Sequence, residues 1–226
     1  MDPKKMAALK AADLINDGDH VGIGAGASML YLAERVREKI GEGMELKLFT
    51  PSADTAKFLG QHHLEVLETS LTARLNIYFD GCDQFDKSLN ALKSGGGIHT
   101  QEKLLASMAN EFVLVGDSPK YVDQFNPAIP LVLEIIPESL LFVVSRLEKL
   151  FNKPTMALRF QTEKEKPITT VNGNWLIDIW FSQWPELSDI NSTVKSITGV
   201  LETSLFFNLA TKAMIGSGAG VQVITK

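Results

Sequence analysis

Asp80-Gly81-Cys82-Asp83, Lys93-Ser94-Gly95-Gly96-Gly97 and Glu102 place three carboxylates and a lysine in one short stretch broken by glycines. Carboxylates can take and return protons, and a neighbouring ammonium can offset the anion formed on the way. Glycines let a backbone come close to a ligand. Each element also has a plainer reading alone. Asp80 and Asp83 can share one cleft and raise one pKa by repulsion, or can each cap an Asx turn. Lys93 alone reads as a solvated loop lysine. Glu102 falls where the helix dipole favours any acid. Their grouping, at a strand end and a helix start with glycines between, reads as a site for proton transfer rather than a surface.

These residues need a scaffold. Leu75 to Phe79 is an apolar strand that delivers Asp80 at its end, and residues 100–110 form a helix with Thr100 as N-cap and Glu102 in the first turn. Upstream, residues 4–16 read as a helix, Asn16 to Asp19 as a turn and His20 to Ile23 as a buried strand. Gly24 to Ala27 forms a loop, and Ser28 caps a helix running to Ile40. Leu46 to Phe49 is the next strand, Thr50 to Asp54 a polar loop before a short helix, and residues 64–67 and 112–115 further strands. Strands alternating with helices imply right-handed β-α-β units and a doubly wound parallel sheet. Ligands of such sheets bind at the carboxyl ends of strands, where loops 24–28, 50–55 and 80–83 all fall.

The loop Gly22 to Ser28 runs from a strand through glycines into a helix start, which can make an anion site from backbone N–H groups; taken alone, its glycines fit a tight turn better. It also fits a loose dinucleotide pattern, but the second strand ends Phe49-Thr50-Pro51 without the acid that pattern wants, which disfavours a nicotinamide cofactor.

After Asn126-Pro127 the pattern changes. Leu131 to Ile136 is a strand, 138–151 an amphipathic helix, Thr155 to Gln161 extended and Glu163 to Pro167 a charged turn. Asn172-Gly173-Asn174 signals a hairpin turn. Residues 188–198 read as a helix and Val200 to Phe206 as a strand, an order that predicts a small α+β unit. The tail, Lys212 to Ile224, offers two strands around Gly216-Ser217-Gly218. Trp175, Trp180, Phe181 and Trp184 fit a core or a subunit contact.

With 226 residues, 45% of them hydrophobic and 22% charged, the chain can bury an ordinary core. A net charge of -5 argues against nucleic acid. No apolar run approaches the roughly 18 residues of a membrane span. The single cysteine, Cys82, excludes an internal disulfide and fits the cytoplasm. Four scattered histidines give no metal spacing, so no metal is expected.

The stretch 80–102 resembles the signature of type A ribose-5-phosphate isomerases, which read D-G-A-D-E, then K-G-G-G, then E-K at the same separations. The family loop G-T-G-S-T aligns with Gly24-Ala25-Gly26-Ala27-Ser28, so alanines stand at two hydroxyl positions. Gln84 stands where the family has Glu, and Ser94, Ile98 and His99 also depart from its pattern. Thr50, Ser52 and Thr55 are the nearest hydroxyls that could compensate for the loop.

The resemblance implies a Rossmann-like domain, residues 1–126 plus 203–226, carrying an inserted ferredoxin-like α+β lid at 127–202. It implies isomerisation of ribose 5-phosphate and ribulose 5-phosphate with neither cofactor nor metal. Glu102 would be the base, Lys93 would offset the oxyanion, and Asp80 and Asp83 would handle hydroxyl protons and ring opening. Substrate contacts would come from Ala25, Gly26, Ala27, Ser28, Gly81, Cys82, Ser94, Gly95 and Gly96. Lys120, after a segment resembling A-D-x-S-K, and Lys4 would add to them. A homodimer or tetramer would follow. The departures leave two alternatives, an isomerase of another sugar phosphate and a non-catalytic sugar-phosphate sensor.

Overall fold

The computed structural model describes residues 1–161 and 164–226. The chain begins with α1 (Pro3–Ala12), β1 (His20–Ile23), α2 (Ala27–Gly41), β2 (Lys47–Phe49) and α3 (Ala53–Gln61). It continues with β3 (Leu75–Asp80), β4 (Gln84–Phe85), β5 (Ala91–Leu92), α4 (His99–Met108) and β6 (Ala109–Asp117). Next come β7 (Leu131–Ile135), α5 (Leu140–Leu150), β8 (Thr155–Leu158), β9 (Phe160–Gln161), β10 (Lys164–Pro167) and β11 (Trp175–Trp180). It closes with β12 (Val200–Thr203), β13 (Leu205–Phe206), β14 (Lys212–Ser217) and β15 (Gly220–Thr225).

A six-stranded sheet has the order β15-β14-β6-β3-β1-β2. Its strands pair in parallel except for the β14–β15 hairpin. β3 sits near the middle, and its apolar run is what a strand covered on both faces requires. Ile77 and Phe79 enter one core with α1 and α2, while Leu75 and Tyr78 enter a second with Phe112 and Phe206. The alternation from Ile77 onward puts Asp80 on the Tyr78 side.

A four-stranded antiparallel sheet, order β12-β7-β11-β8, packs on α5 around a third core. That order belongs to a split β-α-β unit. A small three-stranded sheet, β13-β5-β4, draws on both regions of the chain: β13 follows closely on β12, and β5 leads into the Lys93 loop.

The α/β class and the parallel strand order agree with the sequence reading; several local expectations do not. α1 ends at Ala12 rather than residue 16. The N-cap of α2 is Gly26, at φ +96°, and Ser28 lies inside the helix. Residues 64–67 contribute only a bridge, Leu48 to Val66. Thr100 does not cap α4, whose N-cap position is Ile98 without a side-chain bond. The helix expected over 188–198 is a single turn, Leu187–Asp189, followed by a π-turn, Ile190–Val194. The tail turns at Gly218-Ala219, because Ser217 pairs with Gly220. The chain does turn back at Asn172-Gly173-Asn174, where the Thr170 N–H donates to the Asn174 carbonyl at 2.9 Å and Thr169 bridges Trp175, but the hairpin is short, because β11 pairs with β7 and β8. Of the expected charged turn, Glu163 lies outside the described residues and Lys164–Pro167 pairs with β9.

Candidate active site

A cleft of about 340 Å³ opens at the carboxyl ends of the parallel strands, lined by Ala25, Gly26, Gly81, Cys82, Asp83, Lys93, Gly95, Gly96, Ile98, Glu102 and Lys120. Lys93 forms its charged floor. Its Nζ lies 2.9 Å from Asp80 Oδ2 and 3.3 Å from Glu102 Oε1, and donates to the Gly81 carbonyl at 2.6 Å. Burial opposes the Lys93 ammonium, but Asp80 and Glu102 outweigh it and hold its pKa above the ordinary lysine value.

Asp80 is wholly buried and does not line the cleft. Tyr78 OH donates to its Oδ2 at 2.6 Å, and the Ala25 and Gly81 N–H groups donate to its Oδ1 at 3.1 and 2.8 Å. Together with Lys93 these contacts leave Asp80 little acceptor capacity for a ligand. It ties β1, β3 and the lysine loop together. A Cβ at Gly24 would collide with the Asp80 carboxylate, so the first glycine loop is small there because the acid occupies the space.

Asp83 faces the cleft. Its Oδ2 accepts from the Ser94 and Gly95 N–H groups at 2.5 and 3.2 Å, which fixes the glycine loop beside it. Glu102 sits in the first turn of α4 at 4% exposure, and among the described residues Lys93 is the one side chain that bonds it. Burial pushes the Glu102 carboxyl up, Lys93 pulls it back, and Asp80 pushes it further, to about 8. A carboxylate with that proton affinity, open to a cleft and 3.3 Å from an ammonium, suits a general base.

The other expected residues divide. Lys120 lines the cleft, its stem packed against Gly116. Ala27, Ser28, Ser94 and Lys4 do not line it. The Ser94 hydroxyl instead donates to the Pro130 carbonyl. Lys4 lies in the first turn of α1, where its N–H is capped by Asp2. Ile98, named in the sequence only as a departure from the family pattern, also lines the cleft. Thr55 supports the Gly24 carbonyl at 2.7 Å, and the Ser52 hydroxyl caps α3 by accepting from the Thr55 N–H. These hydroxyls brace the loop; they do not line the cleft. Gln84 accepts from the Asn126 N–H at 2.8 Å. His99 is buried, and desolvation with the nearby Lys103 charge lowers it to about 4, so it is neutral at pH 7. Cys82 lines the cleft as a thiol, because burial raises it to about 12. Among the described residues no group of three or more His, Cys, Asp or Glu side chains is placed to hold a metal ion.

Sequence reasoning missed Glu134. It lies in β7, is wholly buried, and accepts from Thr100 Oγ1, Thr170 Oγ1, Asn172 Nδ2 and Asn174 Nδ2. Its signal was an acid inside the apolar run Leu131 to Ile136, where an unpaired charge would be costly.

Residues 47–220 match the family model for ribose 5-phosphate isomerase A (phosphoriboisomerase A). The ribose-5-phosphate isomerase A of Methanothermobacter thermautotrophicus is 33% identical over 226 residues, covering 99% of this chain and 98% of that one. The structure of ribose 5-phosphate isomerase A from Methanocaldococcus jannaschii superposes with a TM-score of 0.92 at 27% identity, covering 100% of this chain and 99% of that one. A D-ribose-5-phosphate isomerase structure in complex with phospho-erythronic acid also has a TM-score of 0.92, at 28% identity, covering 100% of this chain and 98% of that one.

Proposed function

This chain belongs to the ribose 5-phosphate isomerase A family, and from that premise we propose that its cleft interconverts ribose 5-phosphate and ribulose 5-phosphate through an enediolate. The observation that carries the reading is the buried Lys93, held between Asp80 and Glu102 at the cleft floor. An aldose becomes a ketose when a proton leaves carbon 2, charge gathers on the carbonyl oxygen, and a proton arrives at carbon 1. Glu102 is the group with the proton affinity and access to carry it. Lys93 is the fixed cation that offsets the oxyanion, stabilised in its charged form before substrate arrives. The proton taken from one carbon returns to its neighbour, so the route calls for no redox cofactor.

Asp83 is assigned the hydroxyl protons of ring opening, since it borders the cleft and the backbone engages its Oδ2, while among the described residues nothing bonds its Oδ1. Asp80 is assigned to positioning: its contacts fix Lys93 and the Ala25 and Gly81 peptides. Lys120 and the backbone at Gly26 are assigned to substrate binding, with Lys120 supplying a cation on the cleft wall; Gly81 also lines the cleft, but its N–H is committed to Asp80 and its carbonyl to Lys93. In the same proposal residues 127–202 act as a lid on the unit made by 1–126 and 203–226. The chain is placed in the cytoplasm, and as a homo-oligomer, to which the exposed Leu141 and Phe142 on α5 offer an apolar contact surface.

The test is a panel of phosphorylated aldoses followed by ketose formation. Ribose 5-phosphate should give the highest kcat/KM. A higher value for another sugar phosphate would move the assignment to that substrate, and calorimetric binding without turnover would make the protein a sensor.

A further inference from the structure

We infer that Glu134 is a positioning residue for Glu102, acting from the four-stranded sheet through Thr100 on the first turn of α4. The inference rests on the isomerase reading of Glu102. The two glutamates belong to different layers of the molecule. Glu134 lies on β7, between β12 and β11, and Glu102 on the helix that follows the glycine loop.

Two connections join them. The Thr100 hydroxyl donates to Glu134 Oε2 across 34 positions of sequence. The next side chain, Gln101, donates through Nε2 to Asn172 Oδ1 at 3.0 Å, and Asn172 Nδ2 donates to Glu134 Oε1 at 2.9 Å. Thr170 and Asn174 complete the set on Oε1 at 2.7 and 3.0 Å. The carboxylate therefore grips two consecutive residues of α4, one directly and one through Asn172, immediately before Glu102. Two points of attachment on adjacent residues fix how the first turn is rolled about its axis, and that roll aims the Glu102 side chain.

The tether matters because α4 lacks the usual support at this end. Its N-cap, Ile98, makes no side-chain bond. Among the described residues, Glu102 has only Lys93, at 3.3 Å, to locate its carboxylate. The preceding loop also leans on the same layer. Arg159 donates to the Ser94 carbonyl at 3.0 Å, and a Cβ at Gly97 would come within 2.7 Å of Leu176 Cδ1. Proton transfer from carbon demands tight placement of the base, and a shift of about 1 Å in a positioned group can cost on the order of 100-fold in rate. Glu134 itself is far too enclosed to meet substrate, so its effect passes through Thr100.

The experiment compares Thr100→Val, Thr100→Ser and Glu134→Gln with wild type in ribose 5-phosphate isomerisation, and repeats Thr100→Val in a Glu102→Gln background. Thr100→Val should lower kcat by roughly tenfold with KM nearly unchanged, because the base is misaimed while the substrate contacts remain. Thr100→Ser should restore most of kcat. Glu134→Gln should fall between them, since its amide keeps one acceptor. In the Glu102→Gln background Thr100→Val should have little further effect, the mark of two residues acting through one function. Wild-type kcat in folded Thr100→Val, or the same fractional loss with and without Glu102, would overturn the inference while leaving the isomerase reading intact. No turnover by the wild type would overturn both.

Discussion

Glu102 and Glu134 are both buried, at 4% and 0% exposure, yet their carboxyls shift in opposite directions. For Glu134, burial works upward, but bonds donated by Thr100, Asn172, Asn174 and Thr170 outweigh it and lower the pKa. For Glu102, burial dominates, the single ammonium of Lys93 only partly opposes it, and the carboxyl rises to about 8. Burial therefore does not decide what a carboxylate does; the supply of donors does. Saturated with neutral donors, Glu134 stays an anion and holds two layers of the molecule together. Given one cation and an open face, Glu102 keeps the capacity to bind a proton.

The sharpest way to break this contrast is through stability. Glu134→Ala strips the acceptor from four donors and should cost on the order of 3 kcal/mol in urea unfolding, on the scale of buried polar groups left unpaired. Glu102→Gln should cost far less, since among the described residues only Lys93 bonds that carboxylate and Lys93 retains Asp80. Equal losses would mean the two glutamates play one structural role.

A second test uses the signs of the shifts. Glu102 has a raised folded-state pKa, so its contribution to stability is fully present below the unfolded value near 4.5 and is lost as pH rises towards about 8. Glu102→Gln should therefore gain on wild type across that window, read from urea midpoints at a series of pH values. Glu134, with a lowered pKa, contributes stability present above its unfolded value and lost as the pH falls through its folded value, so Glu134→Gln should approach wild type only in acid. The same trend for both variants would contradict the assignment.

Much of this site was legible in the sequence. Asp80, Asp83, Lys93 and Glu102 are close in sequence, and a strand end, a glycine loop and a helix start brought them together. The direction of each side chain was less legible. Asp80 reads as a residue at a strand end, yet the alternation of β3 turns it in beneath the Gly24 loop onto Tyr78. Thr100 has the composition of an N-cap, but a buried anion in a distant strand captures its hydroxyl. Glu134 was hidden because an apolar run defines a strand without saying where an internal acid will find its donors; those come from Thr100 and from the 170–174 turn. β4, β5 and β13 span two residues each, too few for a period to be read.

The smallest expected effect concerns Cys82. Its thiol, raised to about 12 by burial, carries almost no thiolate at neutral pH. Iodoacetamide at pH 7 should leave activity nearly intact, and Cys82→Ala should turn over much like wild type. Rapid inactivation that the alanine variant escapes would show that the cleft lowers the thiol pKa instead.

The central claim is that Glu102 moves the proton between carbons 1 and 2. Ribose 5-phosphate isomerisation by wild type and Glu102→Gln, measured side by side as ketopentose formation at pH 8, tests it most directly. Wild-type turnover with a fall of about 100-fold or more in a folded Glu102→Gln variant is the predicted result. A variant that turns over as fast as wild type would contradict it.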